Sequence, residues 1–537
     1  LIAAGSVAIW MLHPLQTQSV TYISQRTESL MGMFYIFTLY CFTRSVEVPR
    51  RLWTFMAAGA CALGMATKEG MVTAPVAALL IDRWFIAGSF AEAWRLRRGF
   101  YLGLAAAWLL LPWLLSGLSG RGVGFASGLP PWDYALMQCT AVTRYFTLAF
   151  WPSGLVFDYG TQVGTPAPHE IALIIVLIVV AAHGLVRRTL LGFGICWFLL
   201  TLAPTSSFVP IPLQPISENR AYLPLAGLVV LVVLALERLG TRTLTFVSCG
   251  VAITLGGLTY ARNNVYRDEV ALLYDTVEKV PKNSRAWNNL GLALRRAGRT
   301  TEAVEKYSAA LKVNPNLVEA HLNLSELLGH LGQYSQALLH AQSSVRLEPN
   351  NPKAWVNIGV TQLNLGKFSE AEQSLKHALG LRPSFPEAYA SLALVYVRQG
   401  RAKEAIVSAE MAFRGKSAPA DAYVAMGYAS WSLGDTVAAL RHFEALLEVH
   451  PDFAEGDFLC GTALLIAGRP SDAIPRLQNA VRSNPGHATA QLNLGIALAR
   501  MERLSEARAA LEAALKADPM LVNARLALDG IASGRKL

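Results

Sequence analysis

Two hydrophobic patterns divide this chain. Up to about residue 261, long uncharged apolar runs alternate with short polar stretches; from 262 onward, apolar positions recur at helical spacing among charged ones. Runs able to span a membrane occur at 1–12, 29–43, 52–67, 71–86, 99–116, 169–186, 189–204, 221–237 and 243–261. The chain does not open on Met, and a helix as short as 1–12 reaches only about 18 Å of a hydrocarbon core roughly 30 Å thick. The first run is therefore expected to be the end of a helix that begins upstream.

The polar stretch HPLQTQSVTYISQRTESL, residues 13–30, sits between two uncharged runs. Which side of the membrane it faces follows from the arginines. Clusters at Arg44, Arg50 and Arg51, at Arg95, Arg97 and Arg98, at Arg187 and Arg188, and at Arg238 and Arg242 fall in alternate loops. The positive-inside rule assigns all of them to the cytoplasm. Loops 13–28, 68–70, 117–168 and 205–220 then face outward, and the last span delivers the rest of the chain to that face. Segment 132–151, WDYALMQCTAVTRYFTLAFW, carries Asp133 and Arg144 and would break this alternation if it crossed, so it is predicted to be an interfacial or re-entrant helix.

The second pattern is a repeat. Proline recurs at 281, 315, 349, 383, 451, 485 and 519 on one 34-residue lattice, with Ser417 in the remaining slot. Ala303, Ala337, Ala371, Ala405, Ala439, Ala473 and Ala507 mark the middle of successive units, where a small residue lets two helices approach. This spacing resembles the tetratricopeptide repeat. It predicts a linker helix over 262–283, seven repeats over 284–521 and a closing helix over 522–537. Such stacks offer a concave groove to peptides or proteins. Asn289, Asn323, Asn357 and Asn493 occupy one position of the unit. A ladder of amides there can hold an extended backbone by donating and accepting, or Asn is simply common at that position; both readings stand.

The expected fold class is therefore all-α: a polytopic transmembrane helical domain over 1–261, followed by an α-solenoid. The formal charge of +10 sits largely in the loop clusters, which argues against nucleic acid as a partner. Six scattered cysteines without C-x-x-C spacing suggest neither a disulfide framework nor a metal site.

Candidate chemistry lies in the outward loops: His13, Arg26 and Glu28; Lys68 and Glu69; Arg144 and Asp158; Glu218 and Arg220. Each alone is explained by pairing at a water interface. Together they supply cations for a leaving phosphate and a carboxylate to take an acceptor's proton, as group transfer from a phosphate requires.

The stretches HPLQTQSVTYISQRTESLMG, ATKEGMVTAPVAALLIDRW, TRYFTLAFWPSGLVFDY and SENRAYLPLAG, followed by the repeats, resemble the transmembrane and tetratricopeptide-repeat O-mannosyltransferases and their bacterial relatives across nearly the whole chain. The resemblance implies a glycosyltransferase fold of the GT-C type. It also implies a polyprenyl-phosphate sugar as donor, most simply mannose, with no bound cofactor, and Ser or Thr of exported proteins as acceptors recruited by the repeats. Arg220, Lys68, Arg26 and His13 would face the donor phosphate. Glu28, Asp158 and Glu218 are the candidate general bases, although the acids of such enzymes usually lie in the first external loop, which this reading puts upstream of residue 1. A bacterial inner membrane with periplasmic repeats is expected, with an endoplasmic-reticulum membrane and lumenal repeats as the alternative. The rival reading is a non-enzymatic membrane-anchored scaffold. A transporter fits less well, because its ionisable groups belong near the bilayer midplane and the runs here hold few.

Overall fold

The computed structural model describes residues 1–22, 25–48, 50–112, 130–161, 164–206, 211, 214–415 and 417–533. All regular structure among them is helical, and the chain divides into two compact units, Leu1–Leu317 and Val318–Leu537. Outside the described residues lie the end of the expected 99–116 run, 117–129 and 162–163 of the long outer loop, 207–210 and 212–213 of the loop at 205–220, and the last four positions of the closing helix.

Among the described residues of the first unit, three helices are long and apolar enough to cross a membrane: Pro168–Arg187, Glu218–Glu237 and Thr241–Val265. The other expected spans are shorter, interrupted or more polar. Ile2–Leu12 and Leu190–Leu202 are apolar but short. The 71–86 run is a 3-10 turn Glu69–Thr73, a helix Ala74–Ile81 and a π turn Asp82–Ile86. The 99–116 run begins inside Phe90–Ala105, whose backbone breaks at Arg97 (φ −133°), where Nη1 donates to both oxygens of the buried Asp82 at 2.8 Å. Helices Arg26–Glu47 and Arg51–Thr67 pack as a hairpin, the first diluted by Tyr35, Thr38, Tyr40 and Thr43. The nine-run pattern is thus only partly reflected in single long apolar helices. Segment 132–151 is one helix, Pro131–Phe150, which buries a stripe of Tyr134, Gln138, Ala141, Val142, Tyr145 and Leu148.

Close approach between these helices is made by glycine. A Cβ on Gly184 would stand 2.3 Å from the Gly192 Cα, and one on Gly227 would stand 2.4 Å from the Trp197 ring. Backbones in near contact are how apolar helices associate where no hydrophobic gradient drives them. The first repeat, helices Ser284–Arg296 and Thr300–Val313, belongs to this unit.

The second unit continues the repeats as helix pairs from Val318–His330 and Tyr334–Leu347 to Ala488–Arg500 and Leu504–Ala517, ending on Val522–Ala532. Along both units, the seven mid-repeat alanines are fully buried. Five repeats place Gly where the second helix projects a large side chain: Gly291 under Tyr307, Gly359 under Leu375, Gly427 under Phe443, Gly461 under Leu477 and Gly495 under Leu511. The other two set small against small, with Ser325 and Ala393 facing Ala341 and Ala409. In each repeat the two residues are cut to each other, a glycine where the partner is large and a small residue where the partner is alanine.

The turn between the two helices needs a left-handed residue. Gly298, Gly332, Gly366, Gly400, Gly434 and Gly468 supply it with φ of 73 to 82°, but the seventh repeat uses Glu502 at φ 62°. A side chain in that region costs about 1–2 kcal/mol, partly offset by the backbone entropy that Gly loses. Glu502→Gly is therefore expected to stabilise the chain by roughly 0.5–1 kcal/mol. Chemical denaturation reads this directly, and a lowered midpoint would show that the Glu side chain earns its place some other way.

Candidate functional site

Most of the polar residues singled out in the sequence fall in two hydrogen-bonded groups, both in the first unit. One is centred on Glu28, in the first turn of Arg26–Glu47 and 5% exposed. Helix Arg51–Thr67 ends at Lys68, whose extended backbone (φ −162°) lets Nζ donate to Glu28 Oε1 at 2.5 Å. Asn219, in the 3-10 turn Glu218–Ala221, donates through Nδ2 to the same oxygen at 3.1 Å and to Gln25 Oε1 at 2.9 Å. Its backbone N–H donates to Gln18 Oε1 at 3.0 Å. Loops 13–28, 68–70 and 205–220, far apart in sequence, thus meet on one carboxylate. Burial pushes the Glu28 carboxyl above its ordinary range, and the Lys68 ammonium offsets part of that rise.

The second group is a strap, residues 152–160, held along its length. Arg144 Nη2 donates to the Gly154 carbonyl at 2.9 Å, and Lys279 Nζ to that of Leu155 at 2.9 Å. The Val156 N–H donates to Glu218 Oε1 at 2.5 Å, and Gln18 Nε2 donates to the Phe157 carbonyl at 3.1 Å. Asp158 accepts from Arg285 twice, at 3.0 and 2.7 Å, while Asn283 Nδ2 donates to its carbonyl at 2.9 Å. Tyr159 gives its hydroxyl proton to Glu218 at 2.9 Å. Two of the three candidate bases, Asp158 and Glu218, are thereby occupied in holding this strap.

The candidate cations differ in what is left of them. His13 is buried, and burial lowers its pKa to about 4, so at neutral pH the ring is neutral. Its Nδ1 accepts the Leu15 N–H, and its Nε2 lies 3.2 Å from the Ala149 carbonyl, away from the Glu28 group. Arg220 donates to the carbonyls of Thr205, Pro215 and Gln214, at 3.2, 3.0 and 2.6 Å. Arg26 is exposed; Nε donates to the Val20 carbonyl at 3.3 Å, and among the described residues its terminal nitrogens have no partner. It therefore holds its charge at the surface with its outer nitrogens open. Among the described residues no three His, Cys, Asp or Glu side chains gather as a metal site.

The groove asparagines are all half-buried. In the second unit, Asn357 Nδ2 donates to the Leu322 carbonyl at 3.2 Å and Asn493 Nδ2 to Thr462 Oγ1 at 2.9 Å. Each spends one donor on the preceding repeat and keeps its second N–H for other partners. The sequence reading missed Gln18, Gln25 and Asn219, which are uncharged, and Lys279 and Arg285, which lie beyond 261. Asn219 had a signal: it stands between two singled-out residues in SENRAYLP.

Comparison with known proteins gives two results. The profile of the cilia and flagella-associated protein 70 C-terminal domain matches residues 261–418, and a tetratricopeptide-repeat profile matches 424–474 and 460–520. Tetratricopeptide repeats are present. Among whole proteins, the Caenorhabditis elegans protein O-mannosyl-transferase F38B6.6 is 24% identical over 329 residues, covering 59% of this chain and 46% of that protein. The Drosophila melanogaster protein O-mannosyl-transferase Tmtc3 is 30% identical over 138 residues, 24% of this chain and 15% of that protein. The chain spans less than half the length of these relatives, and the similarity is distant and mostly over the repeats. Similar solved structures include YrrB, described as a TPR protein with an unusual peptide-binding site, at 23% identity and a TM-score of 0.30 over 35% of this chain and 97% of that one. A Parabacteroides merdae tetratricopeptide-repeat protein gives 15% and 0.36 over 46% and 98%.

Proposed function

We propose that this chain belongs to a membrane glycosyltransferase that moves a sugar, most simply mannose, from a polyprenyl-phosphate donor to Ser or Thr of exported proteins. The observation that carries the reading is the Glu28–Lys68–Asn219 network, which joins three outward loops around one buried carboxylate beside an exposed arginine. The distant similarity to O-mannosyltransferases supplies the reaction class. In this reading Arg26 and Lys68 neutralise the donor phosphate, with Glu28 beside them. Arg220 shapes the loop that covers it, and His13 is structural. The repeats hold the acceptor, with Asn289, Asn323, Asn357 and Asn493 along the groove. The working location is a bacterial inner membrane with periplasmic repeats; the alternative is an endoplasmic-reticulum membrane with repeats in the lumen.

A second reading, a membrane-anchored binding scaffold, is favoured by the structural employment of Asp158 and Glu218. The two are separated by supplying radiolabelled polyprenyl-phosphate mannose to the purified intact protein and following label into protein. Transfer should fall about 100-fold in Arg26→Ala, the scale seen when one charge-stabilising donor is removed. Labelling that is absent in the parent, or unchanged in the variant, favours the scaffold.

A further inference from the structure

The second repeat brings two imidazoles together. His321, on helix Val318–His330, and His340, on helix Tyr334–Leu347, face each other with Nδ1 atoms 3.0 Å apart, rings tilted by 37° and centroids 5.2 Å apart. His321 is 9% exposed and His340 half-buried. The register makes the pair unusual. The position of His321 is taken in the flanking repeats by Trp287 and Trp355, whose indole N–H groups donate to the carbonyls of Pro281 and Pro349 at 2.9 and 2.8 Å. A tryptophan cannot ligate a metal; the imidazole at the same place can.

We propose that His321 and His340 form a two-imidazole binding site for a divalent transition-metal ion, with Cu2+ the preferred occupant. Nitrogens about 2.0–2.1 Å from a metal stand about 2.9 Å apart when they subtend a right angle and about 3.3 Å apart at the tetrahedral angle. The observed 3.0 Å lies between the two, so a divalent ion such as Cu2+ or Ni2+ reaches both nitrogens after a shift of at most a few tenths of an ångström. Imidazole suits these ions, and Cu2+ heads the affinity order. Among the described residues no third His, Cys, Asp or Glu completes a larger group, so water fills the remaining positions. The site is therefore exchangeable, unlike a closed structural zinc site. Without metal, one ring holds its proton on Nδ1 and the other accepts it. On binding, that proton moves to Nε2 of the same ring and both Nδ1 lone pairs go to the ion, with no net proton release. The ion would clamp the two helices of this repeat.

The test adds one equivalent of Cu2+ to the full chain in detergent and counts coordinated imidazoles by pulsed electron paramagnetic resonance. Two are expected; none or one overturns the proposal whatever the variants do. His340→Gln should weaken the tightest site at least tenfold and leave one imidazole, while His340→Glu, of the same size but with a ligating carboxylate, should recover affinity. His377→Gln, at a ring that lies against Trp355, should change nothing. Equal affinity in His340→Gln and the parent also overturns the assignment.

Discussion

Glu218→Ala should lower the unfolding free energy by about 2–4 kcal/mol, the cost of leaving two buried donors without their acceptor. Glu218→Gln should cost much less. The carboxylate is 1% exposed and one of its oxygens serves two donors, the Val156 N–H and the Tyr159 hydroxyl. Alanine leaves both buried and unpaired, and it frees the middle of the strap. Glutamine keeps an acceptor oxygen in place. The pair of variants also separates structure from chemistry, because a general base cannot be replaced by an amide. If Glu218 is a structural post, the Gln variant keeps both fold and transfer; a folded Gln variant with no transfer would return Glu218 to the catalytic candidates. Urea or guanidinium denaturation in detergent, read by tryptophan fluorescence, gives the stability side.

Lys68→Met should be comparably damaging at neutral pH, by about 3–5 kcal/mol, because it strands Glu28 in a buried site. The double variant Glu28→Gln, Lys68→Met should recover most of the loss, since removing both charges removes the desolvation cost of each. The loss should also depend on pH. Burial already raises the Glu28 carboxyl above its ordinary value of 4.5 with Lys68 present, and without the ammonium the folded chain holds that proton more tightly still. The folded state then binds more protons than the unfolded one, so stability falls as pH rises. The deficit of Lys68→Met relative to the parent should therefore be largest near pH 8 and shrink toward pH 5. A deficit that is flat with pH would mean that Lys68 acts through packing and not through its charge.

The repeats were legible because their information is local and redundant. Proline, alanine and glycine recur at fixed offsets, and one irregular slot such as Ser417 or Glu502 does not hide the lattice. The apolar half was legible only in outline. Apolar runs locate helices, but composition does not say where a run breaks, and the breaks at Asp82 and Arg97 coincide with an ion pair between residues of different helical segments. The candidate site was read as charges on four loops, of which the Glu28 group joins three. What the sequence could not show was which charges have a partner already. Arg220 and Asp158 look like free functional groups in a string of letters, and only three-dimensional neighbours reveal that carbonyls and Arg285 have claimed them. The decisive uncharged residue, Asn219, is marked in the sequence only by its place between Glu218 and Arg220, and its role in connecting Gln18, Gln25 and Glu28 is visible only in three dimensions.

The matching of sizes inside each repeat has a consequence for how such an array can grow. Where Gly359 admits Leu375, its neighbouring repeat sets Ser325 against Ala341, so each hairpin is a matched lock and key of its own cut. Recombination at the turn between the two helices would pair Ser325 with a leucine or Gly359 with an alanine, giving a clash in one product and a hole in the other. Recombination at the proline between units exchanges whole hairpins and leaves every match intact. The inheritable module is therefore the complete hairpin, and boundaries of duplication in this array belong at the prolines.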